Sequence, residues 1–197
     1  MRAKPRYTLQ MSSSCHWIFD TAIGTCAIAW REPGGSDFPA VLRFQLPEAT
    51  DALTEARIAQ KSGALRAATL PPQVAALIEN VRKHLAGELQ DFRGVPVDLS
   101  AAAPFARQVL EATRQIPPGR TITYGELARS VGRPDAARAV GQIMASNPIP
   151  LIIPCHRVVA AGGKAGGFSA PGGWATKADL LAIERAGSGL LFTLRSV

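Results

Sequence analysis

A cysteine and a histidine stand side by side within NPIPLIIPCHRVVAAGGKAGGFSAPGG, residues 147–173. A thiolate is a strong nucleophile, and an imidazole is a base able to make one. Neighbours on an extended segment point to opposite faces, so Cys155 and His156 cannot simply pair. Either the backbone turns sharply at Cys155, or a water or third group joins the two side chains. Other readings stand beside this one. Cys155 suits an inert buried position between Ile153 and Val158. As a metal ligand it has no second cysteine nearby and no C-x-x-C. As a protease or amidase nucleophile it would need an orienting acid or amide and an oxyanion hole. Spacing alone leaves the inert cysteine as the default.

The elements around the pair are legible in outline. HWIFDTAIGTCAIAW and FPAVLRFQL are rich in β-branched and aromatic residues, with EPGGSD between them as a turn, so residues 16–46 read as strands. Residues 50–62 read as a short helix. Pro71 and Pro72 open a clearer one, with Val74, Leu77, Ile78, Val81 and Leu85 on one face and His84 beside them as a structural or solvent-facing histidine. Phe105, Val109, Ala112 and Ile116 mark a further helix, ended by PPG at 117–119. Residues 123–147, TYGELARSVGRPDAARAVGQIMASN, read as a helix-turn-helix. Thr123 and Glu126 form a capping box, Gly132 to Pro134 the turn, and Asp135 the cap of a second helix running to Ser146. On that helix Ala136, Val140, Ile143 and Met144 share the core face. The opposite face is nearly bare: Ala137, Gly141 and Ala145, flanked by Arg138 and Gln142. Such a face suits a minor groove or close packing of one helix on another.

The expected architecture is a small α/β (α+β) N-terminal domain with an antiparallel sheet over residues 1–92, a linker over 93–104, and a mainly helical domain over 105–197. With 47% hydrophobic residues in a chain of 197, a buried core is expected. Residues 1–100 carry 11 Lys/Arg against 10 Asp/Glu, and residues 101–197 carry 11 against 5. The second half is therefore the side suited to a polyanion, or to a basic solvated surface. Three cysteines, Cys15, Cys26 and Cys155, form no disulfide framework and fit a reducing, cytoplasmic setting. Arg2, Lys4 and Arg6 precede no long apolar run, so neither a signal peptide nor a membrane span is expected.

IPCHRVV at 153–159, preceded by NPIPLI, resembles the acceptor signature of the O6-alkylguanine-DNA alkyltransferases (methylated-DNA–protein-cysteine methyltransferases). FARQVLEATRQIPPGRTITYGELA, AARAVGQIMASNP and KADLLAIE follow the same family pattern in order, so the similarity covers about residues 105–187. The resemblance implies repair of O6-methylguanine, and less efficiently O4-methylthymine, by irreversible transfer of the alkyl group to Cys155. It implies that His156 acts through a bridging water as the base, that Glu184 holds and polarises His156, that Asn147 braces the turn, and that Tyr124 donates to guanine N3. Arg138 would enter the base stack in place of the rotated nucleotide. Ala137 and Gly141 would let the helix sit in the minor groove, with Thr123 among the DNA contacts. Val158, Phe168, Ser169 and Met144 would surround the substrate, the backbones of Cys155 and Val158 accepting from the exocyclic amine. Taking the base out of the duplex costs a few kcal/mol, which weak pairing of the lesion and the inserted arginine offset. The partner implied is double-stranded DNA, bound by a monomer through its minor groove. A cytoplasmic location follows, on the nucleoid if the source is bacterial.

No soluble cofactor is implied. Some members of the family bind zinc, but the spacing of Cys15, His16, Cys26 and His84 matches no recognised pattern, and no metal is expected. The loop GGFSAPGGW departs from the family's tyrosine and SGG: Phe168 stands at the tyrosine position, with extra residues from Ala170 to Gly173. A phenyl ring packs on a base but offers no hydroxyl, which bears on which alkyl groups fit. The rival readings are a non-catalytic binder of alkylated DNA, a cysteine hydrolase and a plain DNA-binding regulator.

Overall fold

A computed structural model describes residues 14–32, 38–163 and 170–187. Phe168 and Ser169 lie outside the described residues. The fold is mixed α/β, a small sheet with helices, as the composition of its segments implied.

β1 (Ser14–Thr21) and β2 (Gly24–Arg31) form a hairpin, and β3 (Ala40–Gln45) adds antiparallel to β2 with an irregularity between Ala29 and Trp30. The hairpin turn leaves Gly24 at φ 114°, a value side chains rarely adopt. A two-residue β4 (Leu65–Arg66) pairs parallel to β1, giving the order β3-β2-β1-β4. The sheet is therefore mixed rather than wholly antiparallel. Helix α1 (Asp51–Ser62) intervenes between β3 and β4 and returns the chain in the direction of β1.

The alternation along β2 decides what each face meets. Cys26, Ile28 and Trp30 join the main core, while Ala27 and Ala29 pack with Ile58 of α1 and Ala64. Small alanines on that face let α1 approach closely. Thr50 caps α1 by accepting from the Leu53 amide, and Gly63 ends it at φ 66°. Helix α2 (Pro72–Leu85) starts at proline and buries Val74, Leu77, Ile78, Val81 and Leu85, the face its spacing predicts. It buries His84 as well, which is 1% exposed.

Residues 93–104 do not hang free. Val41 N–H donates to Pro96 O at 2.9 Å, Asp98 N–H donates to Val41 O at 2.8 Å, and Arg31 pairs with Asp98, so the segment lies along the β3 edge. Helix α3 (Pro104–Arg114) then buries Val109, Leu110 and Thr113. The short strand β5 (Ile122–Thr123) leads directly into α4 (Tyr124–Ser130), where Thr123 and Glu126 form the reciprocal capping box. Gly132, at φ 72°, makes the turn beyond it. Asp135 does not cap the next helix. It sits inside a 3-10 turn, Pro134–Ala136, and α5 (Ala137–Ala145) begins without a side-chain cap. The 3-10 turn supplies α5's entry instead, so a carboxylate cap is unnecessary. Val140 and Met144 are buried, while Ala136 and Ile143 are partly so. A second 3-10 turn, Cys155–Arg157, precedes β6 (Val158–Val159), and α6 (Trp174–Gly187) is the last described helix.

One apolar cluster runs from Phe19, Trp30 and Phe44 through α2 to Val109, Leu127, Val140, Ile152 and Leu180. The two halves of the sequence thus share buried surface. Among the described residues, no helix is long and apolar enough to cross a membrane.

Candidate active site

The chain turns sharply at the cysteine. Cys155 N–H donates to Ile153 O at 2.8 Å and Arg157 N–H to Pro154 O at 2.9 Å, which folds Cys155–Arg157 into its 3-10 turn. Asn147 braces the approach from both ends of its amide. Its Nδ2 donates to Ile153 O at 2.8 Å, and its Oδ1 accepts from the Ile149 amide at 3.0 Å. Leu151 in this loop has φ 72°, an uncommon conformation for a branched side chain, held by its complete burial.

Cys155 is 4% exposed and lines a cavity of about 270 Å³ with Met144, Asn147, Ala170 and Pro171 among the residues of one half, and Phe44, Gln45 and Glu48 among those of the other. Met144 keeps a place in the core too, its sulfur taking the Thr113 hydroxyl at 3.6 Å. Ala170 and Pro171 put the unusual loop of this sequence at the cavity wall. Burial pushes the Cys155 thiol above its ordinary value. Asn147, the Lys177 charge and the amides of Cys155 and His156 oppose that rise. At rest the group is a thiol, and it needs a base.

His156 follows it in the same 3-10 turn. His156 is fully buried, and its Nε2 lies 2.9 Å from Glu184 Oε1. An ionised carboxylate only accepts, so Nε2 carries the proton and Nδ1 holds the free lone pair. Nδ1 is buried without a protein partner, the atom left over for a proton. Burial lowers the His156 pKa, and Glu184 pulls it partly back. The ring is thus a neutral base at neutral pH.

Glu184 is the hub. Burial alone would raise its pKa. Hydrogen bonds from His156 and His84, and then the Arg157 guanidinium, outweigh that and hold it well below the carboxylate range. Arg157 reaches both carboxylate oxygens through Nε at 3.0 Å, and the Gly119 amide donates to Oε2 at 3.2 Å. His84 Nε2 lies 3.2 Å from Oε1. The carboxylate is 1% exposed, a buried charge rather than a surface one.

Lys177 is buried instead, two helical turns before Glu184 on α6. Its Nζ donates to Val158 O at 2.7 Å and lies 5.8 Å from the centre of the Tyr124 ring. That carbonyl has a second lone pair for another donor. The parallel register Ile122↔Val158 and Thr123↔Val159 sets Tyr124 beside the acceptor turn. Burial and the Cys155 charge raise the Tyr124 pKa, which keeps its phenol protonated.

The bare face of α5 opens beside the start of α4. Ala137, Arg138, Gly141 and Gln142 line an open concavity of about 970 Å³ with Thr123 and Tyr124. A Cβ on Gly141 would meet only the Tyr124 ring at 4.0 Å, an ordinary contact, so internal packing does not demand a glycine there. Arg138 is exposed and has no partner among the described residues. Ala145 borders both this concavity and the Cys155 cavity.

Sequence reasoning named Cys155, His156, Glu184, Asn147 and Tyr124, and all five converge within the described residues. It missed His84, Arg157 and the buried place of Lys177. The spacing of Lys177 and Glu184, seven residues on one helix, was the available signal. No signal pointed from α2 to Glu184. Cys15, His16, Cys26 and His84 do not gather, and among the described residues no group of three or more His, Cys, Asp or Glu is arranged to hold a metal.

The buried groups make an acid-side prediction. The His156 pKa is lowered in the folded chain, so protons bind the unfolded chain first as pH falls below about 6.5. Stability from the neutral ring is complete above that value and declines beneath it. Glu184 is lowered too, so its contribution is complete above about 4.5 and declines beneath that. The thermal midpoint should fall in two limbs, and His156→Gln should remove the first. Calorimetry across this range checks it.

A pocket thiol backed by a buried imidazole–carboxylate pair defines a cysteine-nucleophile enzyme. Residues 104–186 match the family described as 6-O-methylguanine DNA methyltransferase, DNA binding domain. The methylated-DNA–protein-cysteine methyltransferase of Mycolicibacterium paratuberculosis is 43% identical over 124 residues, 63% of this chain and 73% of that protein. The Shigella flexneri protein of the same name is 41% identical over 108 residues, 55% and 61% of the two chains. The structure of Mycobacterium tuberculosis O6-methylguanine methyltransferase matches at TM-score 0.68 and 32% identity, over 89% of this chain and 94% of that one. A complex of the M. tuberculosis protein with DNA matches at TM-score 0.68 and 30% identity, over 88% and 94%. The chain belongs to the methylated-DNA–protein-cysteine methyltransferase family.

Proposed function

We propose that this protein repairs DNA by moving the alkyl group of O6-methylguanine, and less efficiently O4-methylthymine, irreversibly onto Cys155. The observation that carries this is the cavity holding Cys155 ahead of His156 and Glu184, beside an open concavity faced by the small residues of α5. His156 Nδ1 takes the thiol proton through a bridging water, and the imidazolium is stabilised by Glu184. The sulfur attacks the methyl carbon in line with O6. The S–C bond forms, the C–O6 bond breaks, and its electron pair enters the guanine ring. Tyr124 donates to N3, where that charge collects, and Lys177 beside the ring favours the donation. The thioether has no proton to lose, so each molecule acts once.

In this reading α4, the turn at Gly132 and α5 act as a helix-turn-helix, within a DNA-binding and acceptor domain over 105–197. Residues 1–92 form the second domain, joined through 93–104. The chain acts as a monomer on double-stranded DNA, entering the minor groove with Ala137 and Gly141 while Arg138 fills the place of the rotated nucleotide. Thr123 stands at the groove edge, and Val158, Met144, Phe168 and Ser169 surround the base. Binding depends weakly on sequence and strongly on salt.

Intact-mass measurement after incubation with an O6-methylguanine duplex tests the function. One methyl per protein, on Cys155, is the expected result; turnover with an unmodified thiol would instead mark a hydrolase. Arg138→Ala should slow repair of the duplex by about 10- to 100-fold, the scale of a base-extrusion cost of a few kcal/mol. It should leave reaction with free O6-methylguanine unchanged. Equal loss on both substrates would remove Arg138 from base extrusion.

A further inference from the structure

His84 is buried, polar and unused by the chemistry above. It is on α2, 100 residues before Glu184, yet its Nε2 is 3.2 Å from Glu184 Oε1. Its other nitrogen fixes what that contact is. The Gln90 amide donates to His84 Nδ1 at 3.0 Å. A donated hydrogen requires a lone pair there, so Nδ1 is unprotonated and the single proton of a neutral ring sits on Nε2. The Phe92 ring, 5.2 Å away between centroids, fixes the imidazole from its flank.

We propose that His84 is a positioning residue for alkyl transfer, an N–H from the N-terminal half that holds the Glu184 carboxylate in the orientation His156 requires. Oε1 receives His156, His84 and Arg157 together, while Oε2 receives Arg157 and the Gly119 amide. Without His84, the bidentate Arg157 fork is free to swing the carboxylate toward itself. The bond from Oε1 to His156 Nε2 would then lengthen. The groups facing His84 are the Glu184 carboxylate on α6 and, through it, the Arg157 guanidinium and the neutral His156 ring on the acceptor turn. A neutral donor holds the carboxylate without cancelling the charge that steadies the imidazolium. In this way the half of the chain outside the matched residues 104–186 supplies part of the acceptor site.

The proposal rests on Cys155 being the alkyl acceptor, and two isosteres test it. Gln reaches where Nε2 stands and can still donate to Glu184, but gives Gln90 nothing at Nδ1. Asn can accept from Gln90 at the Nδ1 position but does not reach Glu184. Each variant loses one hydrogen bond, so both should show similar falls in Tm. The single-turnover rate of methyl transfer from an O6-methylguanine duplex should split them. His84→Gln should stay within about threefold of the parent, and His84→Asn should slow about 10- to 100-fold, the scale of a misplaced catalytic group. Affinity for the duplex should be unchanged in both. Equal rates in the two variants, or a slower His84→Gln, would assign His84 to the Gln90 loop and overturn the proposal. A parent protein that transfers no methyl would overturn the acceptor chemistry itself, a different result from the same assay.

Discussion

Replacing Cys155 with alanine should abolish methyl transfer and leave binding of alkylated duplex intact. In the proposed transfer the Cys155 sulfur alone forms a bond to the alkyl carbon, so no neighbouring group should substitute for it. Cys15 is on β1 and Cys26 is fully buried in the core, its thiol pushed up to about 12 by burial. Neither is offered to the cavity, and the rate should fall by at least about 10⁴-fold, to the limit of detection. The fold should tolerate the change. Alanine removes one atom from a cavity wall, at a cost of order 1 kcal/mol. Duplex affinity should hold because the concavity at α5 contains Thr123, Tyr124 and Arg138 but not the sulfur. Labelled O6-methylguanine duplex gives both readouts: label on protein, and the fraction of protein bound. If alanine at 155 still cleared the methyl group from DNA, the acceptor would lie elsewhere.

The sequence and the structure divide the site between them in an instructive way. Local devices were readable because they are made of neighbours. The Thr123–Glu126 capping box, the buried stripe of α2 and the small face of α5 each follow from spacing along one helix. The ordered motifs from Phe105 to Gly187 pointed to Cys155, His156 and Glu184, and the fold sets His156, next to Cys155 in one 3-10 turn, 2.9 Å from Glu184. What spacing could not show is what each face meets. Spacing alone left the bare face of α5 with two readings, and only the fold shows that it lines an open concavity. Asp135 looked like a cap because cap residues are recognised by type, whereas the 3-10 turn at Pro134–Ala136 depends on local geometry. The β4 edge is two residues long, below the length at which alternation carries information. His84 was the largest omission. Its helical position left it either structural or facing solvent; it is buried, its partner is on the last described helix, and no pattern within α2 encodes a carboxylate contributed by α6.

Glu184→Gln should cost both stability and rate, for two separable reasons. The first is electrostatic. Arg157 is 4% exposed, and its counter-charge is Glu184, held through Nε at 3.0 Å and through Nη2 at 2.6 Å. A neutral amide leaves the guanidinium buried without a counter-charge, a loss of about 3–5 kcal/mol. Packing is nearly preserved, so the loss is not a cavity effect. The second is a matter of proton position. The carboxylate accepts from His156 Nε2–H, from His84 Nε2–H and from Arg157. Glutamine has one accepting oxygen and one donating nitrogen, so it cannot satisfy all three. Where its NH₂ faces His156, the ring must turn Nε2 into an acceptor and move its proton to Nδ1. Nδ1 is then no longer a base, and the thiol loses its route to the thiolate. A wrong tautomer in a base–carboxylate pair costs on the order of 10³- to 10⁴-fold in rate. The two effects part in the pH dependence. The thermal midpoint of the variant should lose its limb below about 4.5, because the group with the lowered pKa is gone. The rate loss should persist at neutral pH. A variant that melts with the parent and transfers at the parent's rate would mean that Glu184 neither anchors Arg157 nor sets the His156 tautomer.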